Sequence, residues 1–99
     1  MQRHYFSYLS NVLRYKYQTQ IFAWDLWKIA KRQKMICPLT NRHLTRHNIS
    51  IDHIIPTSKG GTNDLQNLRF VDYHANLAKA TFSDSDLLKL AIDIVNTLQ

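Results

Sequence analysis

Apolar residues recur at three- and four-residue spacings through Leu9, Val12 and Leu13, then Ile21, Trp24 and Trp27. That is the spacing of one helix face. No Pro or Gly interrupts residues 5–34, so the pattern predicts helix there. One bent helix fits, and so do two with Thr19 capping the second. Cys37-Pro38 ends the pattern, because a residue before Pro disfavours the α region. Residues 48–55 (NISIDHII) alternate and are rich in β-branched side chains, which predicts a strand that Pro56 stops. Residues 58–63 (SKGGTN) are a loop holding both glycines of the chain, Gly60 and Gly61. Residues 68–71 read as a short second strand and 72–80 as a helix. Ser83 with Asp86 resembles a capping box in which Asp stands in for Glu. It opens a final helix, residues 84–98, with Leu87, Leu88, Ala91, Ile92, Val95 and Leu98 on one face. The order predicts an α+β fold in which a two-stranded antiparallel hairpin and a helix are packed by helices on either side.

Ninety-nine residues suit a single domain. Its expected parts are a basic aromatic helical segment (1–36), a central core (37–80) and a C-terminal helix (81–99). No apolar run approaches the roughly 18 residues of a membrane span. The opening MQRHYFSYLS has no apolar stretch with a small-residue cleavage site. One cysteine, Cys37, excludes an internal disulfide. The expectation is an intracellular protein, of the cytoplasm or an organelle matrix, with no membrane partner.

Charge sharpens this picture. The net charge is +6, and it is uneven. Residues 1–36 hold seven basic side chains and one acid, while residues 81–99 hold one basic and three acidic. A basic excess favours a polyanion partner through phosphate contacts that release counterions. A solvated helix face explains the same charges equally well. The aromatics among them mostly read as core, although Arg14, Tyr15, Lys16 and Tyr17 would also suit a groove that stacks and neutralises nucleic acid.

The middle of the chain carries the chemistry. Asp52-His53-Ile54-Ile55-Pro56 is followed by Gly60-Gly61-Thr62-Asn63, then Asn67-Leu68, then Asn76 and Lys79. In order and spacing this resembles the HNH endonucleases, the ββα-metal nucleases. Their pattern is an Asp-His pair with a Pro, a Gly-Gly loop, an Asn-Leu pair, and a His or Asn with a Lys three residues on. Hydrolysing a phosphodiester needs an activated water and neutralisation of charge on the phosphate. Histidine offers a base with a pKa near working pH. A hard divalent cation wants oxygen ligands, and Asp52 and Asn76 each offer one.

The resemblance implies that His53 is the general base and that Asp52 and Asn76 are metal ligands. It implies that Asn67, the central Asn, pins the loop and helps orient the histidine. Gly60 and Gly61 would give the loop positive φ angles. Lys79, Lys59, Arg46 and Arg42 are candidates for phosphate contacts around the motif, and Lys31, Arg32 and Lys34 for contacts from the N-terminal segment. Asp52 and His53 are adjacent, so a regular strand would send them to opposite faces, and the family pattern implies a local distortion there. The implied cofactor is one Mg²⁺ or Mn²⁺ ion and the implied partner is DNA. A two-fold homodimer on a palindromic site and a nicking monomer both fit. Homing, phage and mobile-intron nucleases are among the family's small members. The alternative from another class is a non-cleaving nucleic-acid-binding accessory module of a mobile-element protein.

The sequence departs from the family in one place. Many members carry a structural zinc on two Cys-x-x-Cys pairs, and the corresponding positions here are Cys37, Thr40, Asp72 and Ala75. No four-cysteine zinc site is therefore expected. A substitute from Cys37, His43, His47 and His74 would have irregular spacing. The long N-terminal segment and the C-terminal helix are expected to supply the missing core.

Overall fold

The computed structural model describes residues 3–99. Two helices, α1 (Arg3–Tyr17) and α2 (Ala23–Arg32), precede a hairpin of β1 (Ile49–His53) and β2 (Leu68–Asp72). α3 (Tyr73–Lys79) follows β2 directly, and α4 (Asp84–Leu98) ends the chain. The fold is α+β, as the residue pattern predicts.

The N-terminal segment is two helices because the chain turns at Gln18, which adopts a positive φ of 54°. Thr19 does not cap α2. Phe22 occupies the cap position, and the Asp25 carboxylate accepts its N–H at 3.0 Å. The Thr19 hydroxyl is instead buried, with no hydrogen-bond partner among the described residues. Arg14 donates to the Ile21 carbonyl at 2.7 Å and lies over the Phe22 ring, so it fastens this turn rather than facing a groove.

One core joins these helices to the hairpin. Phe6 and Leu13 of α1, with Leu26, Ile29 and Ala30 of α2, pack on Leu68, Phe70 and Val71 of β2. Phe6 meets Phe70 edge to face, with ring centroids 5.7 Å apart. Gln33, just past α2, donates to the Phe70 carbonyl at 2.7 Å and accepts the Phe70 N–H at 2.8 Å. A side chain thus satisfies the backbone of the outer strand edge, which water or another strand would otherwise have to do.

The C-terminal helix departs from expectation. α4 buries none of its residues, so it adds no core, and the N-terminal helices supply what the hairpin lacks. Its attachment is ionic and lies at its first turn. Arg69 grips Asp84 with two N–H donors at 2.9 and 2.7 Å, and Lys59 pairs with Asp86 at 3.2 Å. Ser83 caps it as predicted, accepting the Asp86 N–H.

The positions that the family resemblance aligns with zinc ligands meet here through other bonds. Cys37 is buried, and its Sγ accepts the Asp72 N–H at 3.2 Å. The Asp72 carboxylate accepts from Arg42, from Asn48 and from the His74 N–H. Burial alone would raise both acids. For Cys37 the Thr40 side chain and the N–H groups of Asp72, Leu39 and Thr40 outweigh it, and for Asp72 the N–H groups of His74 and Ala75 and the Arg42 guanidinium do so. Both groups therefore lie below their ordinary values. Among the described residues no three His, Cys, Asp or Glu side chains gather as a metal cluster.

Candidate active site

β1 and β2 pair antiparallel, with Asp52 opposite Arg69 and His53 opposite Leu68. The strand ends at His53. There the Ile54 N–H bonds the Asn67 carbonyl at 2.8 Å, and the chain bends away towards Pro56. Ending the pleat at this point removes the strict alternation of faces. Asp52, His53 and Asn76 of α3 all line one shallow hollow of about 180 Å³, rimmed by Pro56 to Ser58 and by Ala80 and Thr81.

The bend is held by Asn67, which is buried. Its Oδ1 accepts the Ile55 N–H at 2.8 Å, and its Nδ2 donates to the carbonyls of Ile55 and Thr62 at 3.0 and 2.7 Å. All three bonds go to backbone. Asn67 is thus placed to position the loop, not to touch a substrate as a catalytic group would. The two glycines serve different ends. Gly60 has a φ of 89°, as expected. Gly61 has no positive φ, but a Cβ on it would lie 1.7 Å from the Ile55 carbonyl oxygen. The loop passes too close to the strand end for any side chain.

Asp52 is 5% exposed and sits between two cations. Arg69 donates through Nε at 2.9 Å, and Lys79 reaches both carboxylate oxygens at 2.9 and 3.1 Å. Lys79 also donates to the carbonyls of His53 and Ile54 at 2.8 and 3.0 Å, and it is fully buried. This corrects the expectation of a phosphate contact. A lysine without solvent exposure, surrounded by four protein oxygens, pins α3 to the strand end.

His53 presents an imidazole whose Nε2 lies 2.8 Å from Oδ1 of Asn63. The Tyr17 ring at the end of α1 meets it edge-on, centroid to centroid 5.5 Å. Asn63, Tyr17 and Arg69 stand beside the named site residues without having been singled out for these contacts. Asn63 lies within the glycine-loop motif, and Arg69 would follow from the hairpin register. Nothing local marks Tyr17, whose approach is tertiary.

The donor set suits a hard cation. Asn76 commits its amide nitrogen to Ser50 Oγ at 2.6 Å and the Ile51 carbonyl at 3.1 Å, so its oxygen is the atom that could ligate a cation. Asp52 Oδ1 accepts one bond, from Lys79, and a carboxylate oxygen has room for another. One carboxylate and one amide oxygen leave most of an octahedral shell to water and phosphate, as Mg²⁺ prefers.

The remaining expected phosphate contacts are dispersed. Arg42 pairs with Asp72 and Lys59 with Asp86, each still partly exposed. Arg46, Lys31, Arg32 and Lys34 are exposed. Lys31 lies over the Trp27 ring, 4.8 Å from its centroid. Among the described residues no helix is long and apolar enough to cross a membrane.

A strand pair, a glycine loop and a helix converging on Asp, His and Asn define a ββα nuclease motif. Residues 36–80, just under half of the chain, match the family model of the HNH endonucleases, and the α+β fold is consistent with that family. HNH nucleases act on DNA and generally use a divalent metal. A comparison with curated proteins finds no match.

Proposed function

We propose that the protein is a metal-dependent endonuclease that hydrolyses DNA phosphodiester bonds with one bound Mg²⁺ or Mn²⁺. The observation that carries this reading is the shared hollow of Asp52, His53 and Asn76. Asp52 and Asn76 hold the ion, which when bound supplies charge neutralisation at the scissile phosphate. His53 is the general base. It takes a proton from the attacking water as the water oxygen bonds to phosphorus. The bond from phosphorus to the leaving sugar oxygen breaks, and that oxygen takes up a proton from solvent. Asn67 and Lys79 position the loop and Asp52. Arg42, Arg46 and Lys59 contribute phosphate contacts, with the Lys31, Arg32 and Lys34 group further out. The reading includes a homing, phage or mobile-element setting, as the resemblance to small HNH nucleases implies.

Cleavage of supercoiled plasmid by wild type and His53→Ala, each with Mg²⁺, Mn²⁺ or EDTA, tests the proposal. Metal-dependent nicking or linearisation by wild type alone is expected. Equal cleavage by both proteins would remove His53 as base. DNA binding without cleavage by wild type would favour a non-cleaving binding module.

A further inference from the structure

α2 turns Leu26, Ile29 and Ala30 inward and leaves an outer stripe of Trp24, Trp27, Lys28, Lys31 and Arg32. The two indoles stack with centroids 5.4 Å apart and planes 13° from parallel. Each has an ammonium over it, Lys28 at 5.9 Å from the Trp24 ring and Lys31 at 4.8 Å from the Trp27 ring. The only acid of α2, Asp25, is bound to the Phe22 N–H. Among the described residues no carboxylate forms an ion pair with Lys28, Lys31 or Arg32, so the stripe is aromatic and cationic.

Two hollows flank the indole pair, and their chemistry differs. One, of about 390 Å³, is mostly apolar and is lined by Phe6, Ala23 and the tryptophans. The other is lined by the tryptophans with Lys28, Lys31 and Arg32. Cations in the last turn of a helix also complement its dipole, and lysine stems cover apolar surface. Those effects account for the charges. They do not account for Trp24, whose large ring stays 60% exposed.

We propose that this shelf binds an unpaired stretch of the nucleic acid, one base stacking on Trp24 and the neighbouring phosphates lying on Lys28, Lys31 and Arg32. An aromatic platform beside a cationic track is the chemistry that holds single strands, because every base has a π-face and every step a phosphate. The proposal rests on the nucleic-acid reading above and names the form of the strand. α1 connects the two places. Phe6 borders the shelf and Tyr17 touches His53. Eleven residues of helix separate them, about 16 Å. The shelf would thus hold a strand one helix length from the hollow.

The chain has two tryptophans, and both are on the shelf, so fluorescence excited selectively at tryptophan, beyond the absorption of the tyrosines, reports this surface alone. The experiment titrates the full chain in EDTA with an unstructured 12-mer of DNA, with a duplex of the same length, and with inorganic polyphosphate. Saturable quenching by the single strand is expected, with affinity at least about tenfold above the duplex. Trp24→Ala should weaken binding by about tenfold and Trp24→Phe should restore most of it. Lys28→Ala should lower the salt slope by about 0.7. Equal binding of duplex or polyphosphate without quenching would overturn the proposal. Sedimentation showing copies associated through this face before any oligonucleotide is added would also overturn it. Quenching without plasmid cleavage counts against the nuclease reading alone, and cleavage without quenching against the shelf alone.

Discussion

Nε2 of His53 and Oδ1 of Asn63 lie 2.8 Å apart across the glycine loop. An amide oxygen accepts and does not donate, so this contact favours the tautomer that carries its proton on Nε2 and leaves Nδ1 to accept. A base held in one tautomer is ready to take a proton. Asn63→Leu is expected to lower the rate of metal-dependent cleavage by about tenfold to a hundredfold, with the melting temperature little changed. Asn63→Asp keeps an acceptor and should retain more activity. Initial rates on supercoiled plasmid, beside thermal unfolding, check both. Full activity in Asn63→Leu would make the contact incidental.

Lys79 separates two readings by the kind of loss its removal causes. Lys79→Met leaves Asp52 buried with Arg69 as its remaining cation partner, and breaking a buried pair costs about 3–5 kcal/mol. Urea unfolding should show that loss. A fully stable variant whose DNA binding has a flatter salt dependence would instead restore the phosphate contact read from sequence.

Asn67 and the glycines form a graded series. Asn67→Ala removes three bonds and strands the backbone groups of Ile55, a loss of about 2–4 kcal/mol with activity falling in step. Gly60→Ala meets open space and only a left-handed φ, which costs about 1 kcal/mol. Gly61→Ala drives a methyl into the Ile55 carbonyl and should prevent native folding. Thermal melts of the three variants rank them. A mild Gly61→Ala would mean that the loop shifts freely away from the strand end.

Acid should act through Asp84. Its hydrogen bond from Arg69 holds its carboxyl below the ordinary value of about 3.9. A carboxyl with a lowered folded-state pKa adds stability above the unfolded value and loses it as pH falls through the folded one. Melting temperature should therefore drop below about pH 4, and Asp84→Asn should flatten that limb. At neutral pH the variant should lose at most about 1 kcal/mol, since the Asp84 side chain is 43% exposed and screened by water. A limb unchanged in Asp84→Asn would assign the acid sensitivity to the other carboxyls held below their ordinary value, Asp72 and Asp86.

What could be read from the residues follows how local each signal is. The hairpin, α3 and the Ser83 cap rest on alternation, proline stops and short-range capping, and those stand. Asp52, His53, Asn67 and Asn76 lie within one motif of fixed spacing, so their neighbourhood was legible. The role of Lys79 was not. A cation three residues after a ligand looks the same in sequence whether it faces solvent or a buried carboxylate, and burial decides it. The apolar face of α4 suggested core, because periodicity reports amphipathicity without naming what covers it. The contact of Tyr17 with His53 depends on how α1 crosses the hairpin, a matter of packing that no spacing encodes.

The edge-to-face contact of Phe6 with Phe70 has a practical reach beyond packing. The stretch that matches the family begins at residue 36, yet the inward side of its second strand rests on aromatic and aliphatic groups from the two helices before it. Cut out as a cassette and grafted elsewhere, that stretch would carry the chemical letters of the motif with a bare strand behind them. In this chain the transferable unit of the fold is longer than the recognisable one.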